Sequence, residues 1–197
     1  MTAARLSAPE RRQAVLDTAC RIFSEGSYLG TTTAEIARES GVSEPILYRH
    51  FASKRELYLA CLEAAWADTR ARWDERIAAE PDPTQWVPAI ARAALEAPDR
   101  RAVLADLWIQ ALSVANDEPA INAALSAQMR EVHHYVAGVI RRSQAAGGVV
   151  AARDADAEAW IFVSVGLLRT VAGRLGGVLG GDELERIRTA RAEWMLG

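Results

Sequence analysis

Between Gly41 and Leu57 the run GVSEPILYRHFASKREL sets hydrogen-bonding and charged side chains around a thin apolar spine. Tyr48, Arg49, His50, Lys54 and Arg55 are donors suited to an anion or a base edge, and Ser43 and Glu44 add a hydroxyl and an acceptor. The spine of Val42, Ile46, Leu47 and Phe51 is too small to be a core alone. The segment must therefore lean on other elements and turn its polar side outward. Other chemistry is not written in the chain. There is no nucleophile elbow, no glycine loop after a strand to cradle phosphate, and no Cys/His constellation. His133-His134 has no Cys or carboxylate at ligand spacing, so neither a metal site nor a cofactor is expected. An enzyme is not expected either.

The elements that position this cluster are helices. Ser7-Ala8-Pro9-Glu10 is a capping box with proline in the first turn, and Val15, Ala19, Ile22 and Phe23 give the helix one apolar face. Gly26 breaks it. Thr32-Thr33-Ala34-Glu35 opens a short second helix that Gly41 ends. Ser43 is placed to cap a third, with Pro45 tolerated in its first turn. Ser53-Lys54-Arg55-Glu56 opens a fourth, expected to reach about Ala79. Helix, glycine turn and second short helix form a helix-turn-helix, with Ala37 at the crossing and Val42 and Leu47 as anchors. With its spine buried, the third helix presents Ser43, Glu44, Pro45, Tyr48 and Arg49. Such a helix fits a DNA major groove.

The segment TTTAEIARESGVSEPILYRHFASKRELYLACL resembles the DNA-binding segment of the TetR family of bacterial transcriptional regulators. The likeness runs from about Arg11 to Leu62 and rests on Ile36-Ala37, Gly41-Val42-Ser43, Leu47-Tyr48, His50-Phe51, Lys54 and Leu57. Two positions depart from the family pattern. Ser27 stands where glycine is usual before the aromatic Tyr28, and Glu44-Pro45 is unusual at the start of the recognition helix. The resemblance implies phosphate contacts from Tyr48, His50 and Lys54, and from the hydroxyls and amides of Thr31, Thr32 and Thr33. It further implies that Arg49 pairs with guanine, that Glu44 accepts from cytosine, and that Arg5 and Arg11 touch the backbone. Taken singly, each of these side chains reads as ordinary surface or helix packing. Together within the motif they read as a DNA face.

Beyond Pro81 and Pro83, helical patterns cover roughly 84–97, 99–115, 119–146, 154–175 and 182–195, with Gly147-Gly148 and the GGVLGG run as breaks. The expected architecture is all-α with about nine helices. A DNA-binding domain would occupy residues 1–52 and a ligand-binding and dimerisation domain residues 53–197, the fourth helix joining them. The resemblance implies the roles of that second domain. Trp66, Trp86 and Trp108, with Leu112, Met129 and His133, are the candidates for an apolar effector pocket, although each alone is ordinary core. The helix over 154–175 is greasy on nearly every side, which suggests burial against both its own core and a second subunit. Trp160, Phe162, Val163, Gly166, Leu167 and Thr170, with Ile187 and Trp194 from the last helix, are the candidates for a homodimer bundle.

Composition bounds the rest. The net charge of −3 over 197 residues gives no global positive field, so any DNA contact must be local. The first 60 residues carry eight Lys/Arg against seven Asp/Glu, a mild tilt toward the N-terminus. Two cysteines make no disulfide scaffold, and the longest apolar run, Ala159 to Leu168, is about half a membrane span. A cytoplasmic regulator that binds a palindromic operator as a homodimer and is released by a small apolar or aromatic effector is the expectation. The alternative is a helical small-molecule-binding protein without sequence-specific DNA binding.

Overall fold

The computed structural model describes residues 7–95 and 103–196, and within them all regular structure is helical. The order is α1 (Ala8–Glu25), α2 (Thr33–Glu39), α3 (Glu44–His50), α4 (Lys54–Ala79), a 3-10 turn (Pro83–Gln85), α5 (Trp86–Leu95), α6 (Val103–Leu112), α7 (Pro119–Ala145), α8 (Ala155–Arg174) and α9 (Gly181–Leu196). The expected helix start at Asp99, like Arg5, lies outside the described residues.

The helix starts follow the local chemistry. Ser7 and Glu10 form the reciprocal capping box of α1, the Ser7 amide donating to Glu10 Oε2 at 2.6 Å. The Glu35 amide donates to Thr32 Oγ1 at 3.1 Å to start α2. At α4, the Glu56 amide donates to Ser53 Oγ while the Ala52 amide donates to Glu56 Oε2. Ser43 holds the N-cap position of α3 but its hydroxyl makes no cap bond, contrary to the expected role. Gly41 turns between α2 and α3 at φ +69°, where a β-carbon is disfavoured. The Val42 amide there reaches back to the Ala37 carbonyl at 3.0 Å.

The chain divides into two compact units whose boundaries fall inside helices. One takes the chain up to Ala67 together with Asp106–Ser126; the other takes Asp68–Ala105 and Ala127–Gly197. The expected division at residue 52 thus gives way to a first unit that also holds the start of α4, most of α6 and the first turns of α7. The physical reason is visible in its packing. The Tyr58 hydroxyl donates to the Leu107 carbonyl at 2.6 Å, and Tyr58 meets Phe23 and Tyr28 edge-on at 4.9 and 5.0 Å. Gln110 reaches the Gly26 carbonyl, and Arg55 pairs with Glu118 at 3.4 Å. The second unit has its own core around Trp73, Ile90, Val136, Val139, Ile140, Ala159 and Val163. There Trp73 meets Phe162 edge-on at 5.7 Å. Gly148 is obligatory in that unit, because a β-carbon on it would lie 2.3 Å from the Thr84 Cα.

Candidate functional site

The recognition surface is built from the inside out. Ile36, Ala37, Leu47, Phe51 and Leu57 are almost wholly buried, so α2 and α3 present their remaining faces to solvent. Fully burying Leu47 alone is worth about 1.5–3 kcal/mol. Ser43, Pro45, Tyr48 and Arg49 are exposed, and Glu44 and His50 are half-buried. Arg12 lays its guanidinium over the Phe51 ring at 4.7 Å, which puts a cation at the end of α3. Lys54 is half-buried, with its ammonium 4.6 Å from the Tyr28 ring centre and 3.5 Å from the Leu29 carbonyl. Burial lowers the Lys54 pKa from its ordinary value.

The three threonines do not behave alike. Thr31 is buried at 4% exposure, and its amide is spent on the Ser27 carbonyl. Thr32 is exposed but its oxygen caps α2. Thr33 is buried, and its hydroxyl donates to Glu44 Oε1 at 2.6 Å and lies 3.0 Å from the Tyr48 hydroxyl. The expected display of hydroxyls from Thr31 and Thr33 therefore gives way to burial of one and engagement of the other. Ser27, the departure noted at the corner, closes that corner itself. Its hydroxyl accepts from the Gly30 amide at 3.0 Å, and its carbonyl accepts from Thr31 at 3.1 Å.

Within the second unit, α5, α8 and α9 line a half-open cavity of about 370 Å³. Its walls include Val87, Ala91, Ile161, Val165, Leu184 and Ile187, and its polar lining includes Glu158 and Arg191. Glu158 is buried, accepts from the Trp194 indole N–H at 2.8 Å and pairs with Arg191. Burial, then the neighbouring Arg153, lowers the Arg191 pKa. Glu158 needs this company, since an unpaired buried carboxylate is costly.

Comparison with known proteins identifies the first of these surfaces. Residues 15–61 match the model for bacterial regulatory proteins of the TetR family. Residues 83–166 match the C-terminal model of BetI-type transcriptional repressors. The chain belongs to the TetR family of bacterial regulatory proteins.

Among curated relatives of this TetR-family chain is the transcriptional activator FasR of Mycolicibacterium smegmatis. It is 48% identical over 59 residues, 30% of this chain and 27% of the relative. The regulator BetI of Rhizobium meliloti is 35% identical over 71 residues, 36% of this chain and 34% of the relative. The chain thus matches only about a quarter to a third of the length of these curated relatives. Solved structures cover nearly all of it. A TetR-family regulator from Agrobacterium tumefaciens superposes with TM-score 0.83 at 18% identity, over 97% of this chain and 100% of that one. A regulator from Saccharomonospora viridis in complex with choline superposes with TM-score 0.77 at 21% identity, over 92% and 93%. At such identities the likeness is one of fold.

The TetR-family chain places the remaining sequence-predicted residues unevenly. None of the six pocket candidates lines the cavity described above. Trp66 and Trp108 are buried and Leu112 is 61% exposed, all three in the first unit. In the second unit Trp86 donates to the Glu80 carbonyl at 2.9 Å under the Arg142 guanidinium, and Met129 is half-buried. His133 is buried, with Nε2 3.0 Å from the Asp156 carbonyl and its ring stacked on Trp160 at 4.4 Å. Of the wall residues on α5 and α9 only Ile187 was singled out from the sequence, and for a different role, because aliphatics such as Val87, Ala91 and Leu184 carry no distinctive signal. The dimer candidates divide too. Phe162, Gly166 and Ile187 line the cavity, Val163 packs into the chain's own core, and Leu167 and Thr170 are half-buried. Trp160 is 44% exposed, while Trp194 is tied to Glu158 and lies under Arg153. α8 leaves the apolar side chains of Trp160, Ile161, Leu168 and Val171 exposed, and Leu175 just past its end is exposed too.

Among the described residues no cluster of three or more His, Cys, Asp or Glu is arranged to hold a metal. No helix among them is long and apolar enough to cross a membrane.

Proposed function

We propose that this chain is a DNA-binding transcriptional regulator, a cytoplasmic repressor that grips a palindromic operator as a homodimer and lets go when a small apolar molecule binds. The observation that carries the reading is α3. Leu47 and Phe51 are buried while Tyr48 and Arg49 stand exposed, and Lys54 at the start of α4 is half-buried. Two such helices, one per subunit, would enter successive major grooves about 34 Å apart. Arg49 is the candidate for a bidentate pair with guanine, and Lys54 and His50 for phosphates.

The second subunit is proposed to cover the α8 stripe of Trp160, Leu168, Val171 and Leu175, which repeats at helical spacing and is otherwise open to water. The effector is proposed to fill the cavity between α5, α8 and α9. A quaternary ammonium is bound by the choline-complexed relative. Here the buried carboxylate is already paired with Arg191, and Phe162 is the one aromatic among the lining residues. That lining suits an apolar or aromatic body better than a cation. Effector and operator would oppose each other with a coupling of about 1–3 kcal/mol, equal in both directions.

The test is selection from random double-stranded DNA with purified protein. A palindrome among the recovered sequences supports the reading. Recovery of no common sequence by folded, dimeric protein at low salt would favour a helical small-molecule-binding protein instead.

A further inference from the structure

The chain's two cysteines meet across the joint between α1 and α4. The Cys20 thiol donates to the Cys61 carbonyl at 4.0 Å, and the Cys61 thiol donates to the Leu16 carbonyl at 3.9 Å. Leu16 stands one helical turn before Cys20, so its carbonyl faces the Cys20 amide. Each sulfur therefore lies against the backbone of the other helix, at the place where the other cysteine is rooted. Both are free thiols.

The two thiols are unequal. Cys61 is wholly buried, while Cys20 is partly open to solvent. Burial, then contact with the Cys20 thiol, pushes the Cys61 pKa well above its ordinary value. Cys61 thus stays protonated and out of reach of a dissolved oxidant, and Cys20 meets it first. In a reducing compartment a disulfide between such a pair is transient, which suits a sensor and not a staple.

We infer that Cys20 and Cys61 are a peroxide-sensing thiol pair, which closes to a disulfide between α1 and α4 and thereby weakens the grip on DNA. The Cys20 sulfur attacks one peroxide oxygen and the O–O bond breaks. Cys20 becomes a sulfenic acid, and its thiol proton leaves with the other oxygen as water. The Cys61 sulfur then attacks the Cys20 sulfur and the S–O bond breaks. The departing hydroxide takes the Cys61 proton as a second water. Two thiols lose two electrons, and one peroxide is reduced to two waters.

Placement links this bond to the DNA surface. Arg12, whose guanidinium lies over Phe51, stands eight residues before Cys20 on α1. Lys54 stands seven before Cys61 on α4, so each cation is about two turns from its cysteine. Beside the pair, Phe23 of α1 meets Tyr58 of α4 edge-on at 4.9 Å, and both rings are wholly buried. A sulfur–sulfur bond is only about 2 Å long, so closure draws the two helices together in a core without slack. Arg12 and Lys54 move with their helices and lose their register with α3. The consequence for DNA rests on the reading above; the cross-link does not.

The test treats reduced full-length protein with a small excess of hydrogen peroxide, followed by intact mass, a non-reducing peptide map and titration of the selected operator. The mass should fall by two hydrogens, with Cys20 and Cys61 joined within one chain. Operator affinity should fall about fivefold or more, the low end of coupling between sites, and dithiothreitol should restore it. Cys61→Ala and Cys20→Ser, checked for folding by thermal unfolding, should form no cross-link within the chain and keep their operator affinity in peroxide. Survival of both thiols, or a disulfide between two chains, would overturn the inference. A mapped Cys20–Cys61 bond with unchanged operator affinity would overturn the sensing role. Failure of the reduced protein to bind any operator would overturn the DNA-binding reading and the sensing role with it, while the peptide map judges the cross-link separately.

Discussion

Lys54 illustrates how a surface cation becomes a positioned one. Its ammonium lies over the Tyr28 ring and against the Leu29 carbonyl, and the lowered pKa reflects the water it has lost. A partly desolvated ammonium gains more from an incoming phosphate than a freely hydrated one. We expect Lys54→Gln to weaken binding to every DNA sequence and to shallow the salt dependence by about one counterion, read by titration at several salt concentrations. An unchanged slope would take Lys54 out of the interface. Arg49, exposed on the same helix, belongs to a different class. Arg49→Ala should relax preference at one operator position, at a cost of about 1–3 kcal/mol for the cognate site, and a selection profile identical to wild type would exclude it from readout.

Among elements, the turns are the vulnerable places. Gly41 sits at φ +69° with open space around it, so Gly41→Ala meets backbone strain without a clash. The loss should be about 1–2 kcal/mol, seen as a lower urea midpoint at constant slope. Gly148 is the opposite case. Its φ raises no objection, but an added methyl would run into the Thr84 backbone, which cannot swing away as a side chain would. Gly148→Ala should destabilise by about 1–3 kcal/mol or more. If it unfolds like wild type, the approach of the α7–α8 connection to the 3-10 turn is looser than described. The helix starts needed little tertiary help. Ser7, Thr32, Ser53 and Asp154 each accept an amide two to three residues on, and each was either readable as a cap or sits where a helix was expected to begin.

For the whole molecule, the unpartnered apolar stripe of α8 is the feature that calls for a second copy. Trp160, Leu168, Val171 and Leu175 each expose 40% or more of their surface, and Ser164 between them leaves room for close approach. A double change, Leu168→Glu with Val171→Arg, should yield a folded monomer in sedimentation and reduce operator affinity by removing the linked second half-site. A dimer that survives these changes would place the interface elsewhere.

Local and periodic features were legible in the chain alone: the caps, the glycine turn, the buried spine of α3 and the resemblance carried by the residues around it. These depend on neighbours within one helical turn, and they are legible without knowing where the chain goes next. Other features depended on residues far apart in the chain and emerged only on folding. That the Thr33 hydroxyl is buried and donates to Glu44, eleven residues on, could not be read from its place in a capping motif. Most of α6 joined the first unit through Tyr58 and Gln110, bonds that span 49 and 84 residues. On α8 the difficulty was physical. A helix apolar on nearly every side has no polar face from which to read its orientation, so only packing could tell which side meets the core, which the cavity and which the water.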